Sequence, residues 1–572
     1  MLNANVTITA DKNHSVIWNK INWPVVNEQV NNLRRRIYRA SVEGDMKLVG
    51  NLQKLMLKSR SNRLSAIRRV TQVNQGKNSP GIDKVVINTD KDRNLLIRQL
   101  ENNDPTSVKA IKRVYIPKKR GKTRPLGLPI ILDRCRQAVV KSALEPYWEA
   151  KFEGSSYGFR PGRSAQDAVK RTFLIASPGK SRTWVLDADI KGAFDNIDHN
   201  FLLKTIGNFP SRKWIEAWLK CGVMEGFQLS PTTAGTPQGG VLSPLLANIA
   251  LHGMEESLGI SFDARGYITI KSKYALTRYA DDFVVFAKSK ESCLQAKLKI
   301  QSWLAIRGLE LSETKTKILH IEEGFNFLGF NIRHYKTKSK KKGVTFLCKP
   351  SKESVKSFKK RITLEWKKGS SWTTERIIAN LNSKLIGWGN YFNSGVSGKA
   401  FHALDSWMWT KQLAFVKRRH PKKSMHWLKE KYWGKVKGRN DRWVFMDKNS
   451  DRFLHKLSWI PVRRHVIVKG RSSVDDPTLR EYWNKRQAHS GNSLIKTRQI
   501  LWRKQKGLCL ICKDNIDNGE DINVHHIKPK QYGGNHCINN LVMLHVNCHR
   551  QLHSKHSSLI TDVSKLLEPC AG

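Results

Sequence analysis

The chain has 572 residues, 39% of them hydrophobic, with 102 Lys and Arg against 47 Asp and Glu, a formal net charge of +55. Length and apolar content exclude a disordered chain and leave room for about three or four domains. So large a positive excess repels itself unless a polyanion is present, which makes nucleic acid the first partner to expect and an anionic membrane surface the second. No stretch has the length and apolarity of a membrane span, and the opening residues MLNANVTITADKNHSVIWNK lack the apolar core of a secretory signal. No membrane role is therefore expected, and an intracellular setting is: cytoplasm, nucleoid or organelle. Of nine cysteines, five (Cys509, Cys512, Cys537, Cys548 and Cys570) fall in the last 64 residues, which points to a metal site in a separate C-terminal module rather than to disulfides.

Residues 25–38 and 47–73 place apolar side chains three and four apart and are predicted helical. Their basic faces, Arg34-Arg35-Arg36 and Arg68-Arg69, are either solvated or used on RNA. Residues 111–129 (IKRVYIPKKRGKTRPLGLP) alternate, turn near Arg120-Gly121 and continue as a basic strand. A hairpin presenting Lys118, Lys119, Lys122 and Arg124 suits a triphosphate, or else the backbone phosphates of a template. SSYGFRPGRSAQDAV at 155–169 has Gly and Pro turns and then a helix start at Ser164.

WVLDADIKGAFDNIDH at 184–199 alternates so that Val185, Asp187 and Asp189 share one strand face, until Lys191-Gly192 breaks it. In GTPQGG at 235–240 the glycines let backbone approach closely. LTRYADDFVVFAKS at 276–289 reads as strand, turn and strand, with Asp281 and Asp282 at a hairpin tip. Adjacent carboxylates repel unless a cation sits against them. Two carboxylate-bearing segments in one domain can gather three acids around two divalent ions, the clamp that in-line phosphoryl displacement uses; the competing reading is acids salt-bridged to nearby Lys and Arg. FNFLGF at 325–330 is expected as an apolar core strand closing the domain that carries these acids, and KTKSKKKG at 336–343 as a charged linker or hairpin tip. Nine of the eighteen tryptophans lie between Trp366 and Trp459, among basic helical patterns. Such rings either stack on structured RNA or form core.

DADIKGAFD at 187–195 followed by YADD at 279–282 resembles the palm motifs of reverse transcriptases. GTPQGGVLSPLLANIAL at 235–251 is similar to the sub-type encoded within group II introns. The resemblance implies a multidomain α+β right-hand polymerase: fingers and a palm with an antiparallel sheet, a helical thumb, and a small ββα-metal HNH domain. In those terms 1–90 is an N-terminal extension and the start of the fingers, which grips template RNA, and 91–335 is fingers and palm. Residues 345–435 are thumb or maturase domain X, carried by LNSKLIGWGNYF at 381–392, and 436–490, with basic strands, is a DNA-binding region. Residues 495–560 are the HNH module. The resemblance makes Asp189 and Asp281 ligands of two Mg²⁺ ions, with the Ile190 carbonyl contributing and Asp282 beside them; Asp187 and Asp195 become local partners. Lys118 and Arg124 would contact the incoming deoxynucleoside triphosphate, Gln238 the nucleotide or minor groove, and Lys315 phosphate or template. Phe194 would lie under the sugar and exclude a 2′-hydroxyl, unless it is simply core. SSYGFRPGRS resembles the family's SxxGFRPxRS motif, so Arg160 and Arg163 would touch template backbone, unless the loop is purely structural.

In the C-terminal module, Cys509, Cys512, His545 and Cys548 have the two-pair spacing of a closed structural Zn²⁺ site. Relatives with a complete zinc knot offer Cys where His545 stands. The remaining pattern resembles HNH nucleases, which implies that His525, His549 and His553 hold one divalent metal. His526 would be the general base and Asn540 would hold its loop. The competing reading is a zinc ribbon that binds DNA without cutting it.

Together these features lead to a multifunctional group II intron-encoded protein. It would bind its intron RNA as a maturase, nick target DNA with the HNH module and extend the new 3′ end from RNA with deoxynucleoside triphosphates, in intron mobility. A non-enzymatic splicing factor and a free-standing reverse transcriptase are the alternatives. No sequence signature speaks to oligomeric state.

Overall fold

The computed structural model describes residues 16–101, 104–117, 123–179, 181–262, 268–269, 271–337, 343–490, 496–535 and 537–554. Lys118, Lys119, Lys122, Cys570 and most of KTKSKKKG lie outside these residues.

Around one antiparallel sheet the rest is arranged, with strand order Ala275–Tyr279, Asp282–Ala287, Trp184–Asp189, Lys317–His320. The alternation of its inner strands feeds two cores. Leu186, Ala188, Phe283 and Val285 pack with Cys293, Ala296, Ile300 and Leu304 of the helix Lys290–Ala305. Val185, Val284 and Phe286 face the other way, into a core with Ala168, Val169, Phe325 and Phe327. Each fully buried Val or Phe here contributes about 1.5–3 kcal/mol of transfer free energy. With both faces covered, the strand ends bearing Asp189 and Asp282 carry the sheet's polar chemistry.

FNFLGF is two strands rather than the one expected. Phe325–Phe327 turns at Leu328-Gly329, both at positive φ, into Phe330–Lys336, which pairs with Val344–Pro350 in a separate three-stranded sheet. Its phenylalanines are core nonetheless.

The N-terminal helices are Trp23–Glu43, Met46–Lys58 and Arg60–Arg68. The second expected helix is cut at Ser59, which is extended and whose hydroxyl accepts from the Asn62 amide, capping the next helix. All three pack on Ile131–Glu149. Nearby, Ile111–Pro117 pairs antiparallel with Thr123–Leu128 and parallel with Val223–Glu225. Ser164 caps Ala165–Ile175 in a reciprocal box with Asp167.

Helices Lys352–Lys368, Thr374–Phe392, Gly398–Arg419 and Met425–Tyr432 form a helical body with three short strands, Trp433–Gly434, Val444–Asp447 and Arg452–Phe453. Of its nine tryptophans, Trp366, Trp388 and Trp433 are buried, five are half-buried and Trp443 alone is exposed. Most are therefore core, rimmed by cations such as Arg376 over Trp372 at 4.5 Å and Arg439 over Trp459 at 4.8 Å.

The basic strands expected beyond Trp459 are absent: residues 461–469 belong to no helix or strand. This segment straps back over the first half of the molecule. The His465 ring, the Val468 amide and Arg486 all meet Asp167 Oδ1, at 2.9, 2.9 and 2.8 Å. Arg163 donates to the Gly470 and Ser472 carbonyls, and Arg34 bridges Asp475 and Glu145. The segment offers backbone carbonyls and a carboxylate to half-buried arginines, each such bond replacing one that water would otherwise make.

After the helix Lys496–Lys504, Ile522–His526 pairs with Leu541–His545 and leads into the helix Val546–Leu552, a ββα unit. Its apolar side chains, among them Trp502, Ile511 and Leu552, share one core with Trp18, Trp23, Val26 and Ile67 of the N-terminal helices.

Candidate active sites and metal centres

The palm register sets Asp189 directly opposite Asp282 on neighbouring strands, and Tyr279 opposite Asp282, so that Ala280-Asp281 is a two-residue turn. Ala280 takes φ 58°, which a side-chain-bearing residue adopts only when its surroundings hold it there. They do. The Gly158 backbone lies so close that a Cβ there would stand 2.4 Å from the Ala280 nitrogen. The buried Arg278 donates to the Ala280 carbonyl (3.3 Å) and to Asn248 Oδ1 (3.2 Å), while Asn248 Nδ2 donates to the Gly158 carbonyl (2.8 Å). The Ile190 amide donates to the Asp281 carbonyl at 3.3 Å, and the Asp189 carbonyl accepts from Ser312 at 2.8 Å. Three separated motifs are thus stitched together by backbone.

Electrostatics make this cluster costly without a cation. Burial, then the charges of Asp187, Asp189 and Asp281, push the Asp282 carboxyl up to about 8. Burial chiefly raises Asp281, and raises Asp187 to about 7 against the pull of Lys317. Lys315 Nζ stands 2.7 Å from Asp189 Oδ1. One lysine cannot compensate several half-buried carboxylates, and hard oxygen ligands in this arrangement fit divalent cations.

Facing the cluster, Arg124 Nε donates to Gln238 Oε1 (2.8 Å) and Gln238 Nε2 to Asp195 Oδ2 (3.4 Å). The loop carrying Gln238 is seated by backbone: the Thr236 amide donates to the Phe194 carbonyl, and a Cβ on Gly235 would meet Asp195 O at 2.4 Å. Phe194 is buried and meets the half-exposed Phe159 edge-on at 6.1 Å. Lys118 lies outside the described residues.

Two expected template contacts are corrected. Arg160 is buried against Glu149 (2.9 and 3.0 Å) and donates to the Glu153 and Ser156 carbonyls. Arg163 is spent on the Gly154, Gly470 and Ser472 carbonyls. Both guanidiniums face protein: Arg160 meets a buried carboxylate and two carbonyls, and the terminal nitrogens of Arg163 meet carbonyls alone. Of the basic faces, Arg34 and Arg68 are likewise internal, while Arg36 and Arg69 remain exposed.

In the C-terminal unit, Cys509, Cys512, His545 and Cys548 bring four ligand atoms within 4.8 Å of one another, all buried. His545 Nδ1 lies 3.3 Å from Cys512 Sγ, and its Nε2 donates to the Asn515 carbonyl at 3.0 Å, the second-sphere contact that fixes a ligating tautomer. Three thiols and an imidazole buried this close together suit a soft cation such as Zn²⁺. Cys537 is exposed and outside the group. Separately, His525 Nδ1 lies 3.2 Å from His549 Nε2 and 3.4 Å from His553 Nε2. Burial, then the neighbouring His549, His553 and His526 rings, lower His525 to about 4, which favours the neutral ring that a metal ligand must be. His526 follows at the strand end opposite Leu541. Asn540 ties its loop by accepting from the Lys528 amide (2.7 Å) and donating to the Lys528 and Asn535 carbonyls.

Family models match along the chain: N-terminal domain of reverse transcriptase at 18–100, reverse transcriptase (RNA-dependent DNA polymerase) at 116–332, group II intron maturase-specific domain at 355–433 and HNH endonuclease at 509–555. Protein YkfC of Escherichia coli is 32% identical over 306 residues, 47% of this chain and 80% of that protein. The group II intron-encoded protein LtrA of Lactococcus lactis subsp. cremoris is 32% identical over 364 residues, 49% of this chain. The chain belongs to the group II intron-encoded reverse transcriptase and maturase family, with a C-terminal HNH domain. It spans 60% of the length of LtrA, and 68% of maturase-like protein 1 of Euglena gracilis, at 27% identity.

In this chain, sequence reasoning missed the props behind the aspartates. Gly158, Asn248 and Arg278 sit inside quoted motifs, yet carry no chemistry that singles them out. The one available signal was Arg278 itself, the single charge in the strand Ala275–Tyr279. Arg68, whose guanidinium reaches Cys548, gave none.

Proposed function

We propose that the chain is an RNA-directed DNA polymerase, a maturase for its intron RNA and an HNH endonuclease that nicks target DNA, the nick supplying the primer for reverse transcription. The observation that carries this reading is the register that opposes Asp189 and Asp282, with Asp281 in the intervening turn. Two Mg²⁺ ions held by Asp189, Asp281 and the Ile190 carbonyl, with Asp282 beside them, would neutralise the carboxylates and clamp the attacking and leaving oxygens of phosphoryl transfer. Arg124, held by Gln238, binds triphosphate oxygens, a role that Lys118 would share by resemblance; Arg forks match phosphate bidentately. The Phe194 ring leaves no space for a 2′-hydroxyl, which selects deoxynucleotides. Lys315 balances charge at Asp189 until phosphate arrives. In the HNH unit, His525, His549 and His553 hold one divalent ion, His526 takes a proton from the attacking water and Asn540 fixes the loop between them. Cys509, Cys512, His545 and Cys548 hold a structural Zn²⁺.

The partners are intron RNA, target DNA and deoxynucleoside triphosphates, and the setting is intracellular. Among the described residues no helix is long and apolar enough to cross a membrane. The test is primer extension on an RNA template with Mg²⁺, wild type beside Asp281→Ala and His526→Ala, with nicking of a DNA duplex scored in parallel. Asp281→Ala should abolish synthesis and spare nicking, and His526→Ala the reverse. No synthesis by wild type on several templates would replace this reading with a non-enzymatic splicing factor.

A further inference from the structure

The four-ligand cluster of the HNH module is not self-contained. Arg68, from the N-terminal helix Arg60–Arg68, is buried, and one of its terminal nitrogens donates to Cys548 Sγ at 3.1 Å and to Glu520 Oε1 at 3.3 Å. The guanidinium lies 4.4 Å from the Trp23 ring centroid. Three thiolates and a neutral imidazole around Zn²⁺ carry a net charge of about −1. The nearest described cation to Cys548 thus comes from a helix some 480 residues earlier in the chain. Other contacts cross the same boundary. Asn27 Nδ2 donates to the Cys512 carbonyl at 3.1 Å, and the buried Gln551 donates to the Asn19 and Ile21 carbonyls at 2.8 and 3.1 Å.

We propose that the zinc knot is an interdomain staple: Arg68 is the outer-sphere counter-ion of the Cys509–Cys512–His545–Cys548 site, so that metal occupancy and docking of the nuclease module on the N-terminal helices stabilise each other. An N–H donor to a zinc-bound thiolate is a charge-assisted bond in a dry setting, worth most when both domains are in place. By linkage, whatever strengthens docking must slow zinc loss, and the reverse. The consequence is geometric. The nuclease module is a fixed part of the polymerase body, so a nicked 3′ end leaves one site at a set position relative to the other.

The inference rests on the zinc reading above, and the experiment separates the two. In the full-length chain, zinc content is measured first, then its release to a chelator and hydrogen exchange across residues 16–30 and 509–552. Arg68→Met, which keeps length but not charge, should lose zinc roughly 10–100-fold faster, the range typical of outer-sphere partners. Arg68→Lys should recover part of that loss. Gln551→Leu, which removes the side-chain bonds to the Asn19 and Ile21 carbonyls and leaves the four ligands in place, should also speed zinc release. Stripping zinc from wild type should raise exchange at Asn19–Val26 while the Asp282–Ala287 strand stays protected. A wild-type chain without zinc would sink the zinc reading and this inference with it. Zinc present, but released at the same rate in all four proteins and without effect on exchange at 16–30, would overturn the staple alone.

Discussion

Gly158 and Ala280 meet backbone to backbone: a Cβ on Gly158 would come within 2.4 Å of the Ala280 nitrogen and 2.9 Å of the Tyr279 carbonyl carbon. The turn that presents Asp281 is therefore moulded on a neighbouring loop that can carry no side chain. Gly158→Ala must push the hairpin away from Asp189. DNA synthesis should fall at least about 100-fold, the scale expected for a displacement near 1 Å, while duplex nicking by the HNH unit stays near wild type. Primer extension and nicking assays on one preparation check this.

The palm carboxylates repel one another in a half-buried setting, Asp282 being pushed to about 8 by burial and its acidic neighbours. Adding Mg²⁺ to protein dialysed free of it should raise the melting temperature, by about 2.7 kcal/mol of stability at a hundredfold excess over the dissociation constant. The double variant Asp281→Asn with Asp282→Asn should melt higher than wild type in the absence of Mg²⁺ and gain little on its addition. Thermal melts with and without the ion decide it, and an equal gain in both proteins would count against an ion at these residues.

Arg160 and Glu149 form a pair in which both side chains are 1% exposed. Arg160→Ala should cost about 3–5 kcal/mol, because it strands a buried carboxylate, and should do so without RNA. Denaturant melts measure the loss. Full stability with weakened template affinity would instead restore the template-contact role.

Glu153 sets the acid limit of the palm. Burial pushes its carboxyl up, but the His252 ring, Arg278 and the Gly253 amide outweigh that and hold it at about 2. A carboxyl depressed on folding stabilises the protein above its ordinary value near 4.5, and that contribution is lost as pH falls towards 2. Its size is of order 3 kcal/mol. Glu153→Gln should therefore be less stable than wild type at pH 7 and show a flatter decline between pH 4.5 and 2, read by urea midpoints across that range.

Alternation and spacing determined much by themselves. Val185, Asp187 and Asp189 on one strand face, the Tyr279–Asp282 hairpin, the Ser164 cap, and the Cys and His spacings of the last module are local patterns set by backbone periodicity and turn chemistry. Composition likewise fixed the sign of the partner, because charge sums do not depend on fold. Tertiary structure alone decided the rest. Only the register shows that Asp189 opposes Asp282, since sliding a strand by one residue leaves its sequence unchanged while reversing its faces. Only packing shows that Arg160, Arg163, Arg34 and Arg68 answer to Glu149, the strap carbonyls, Asp475 and Cys548 rather than to phosphate. A guanidinium is equally suited to either kind of oxygen, or to a thiolate, and which one it meets is settled by what distant parts of the chain bring beside it.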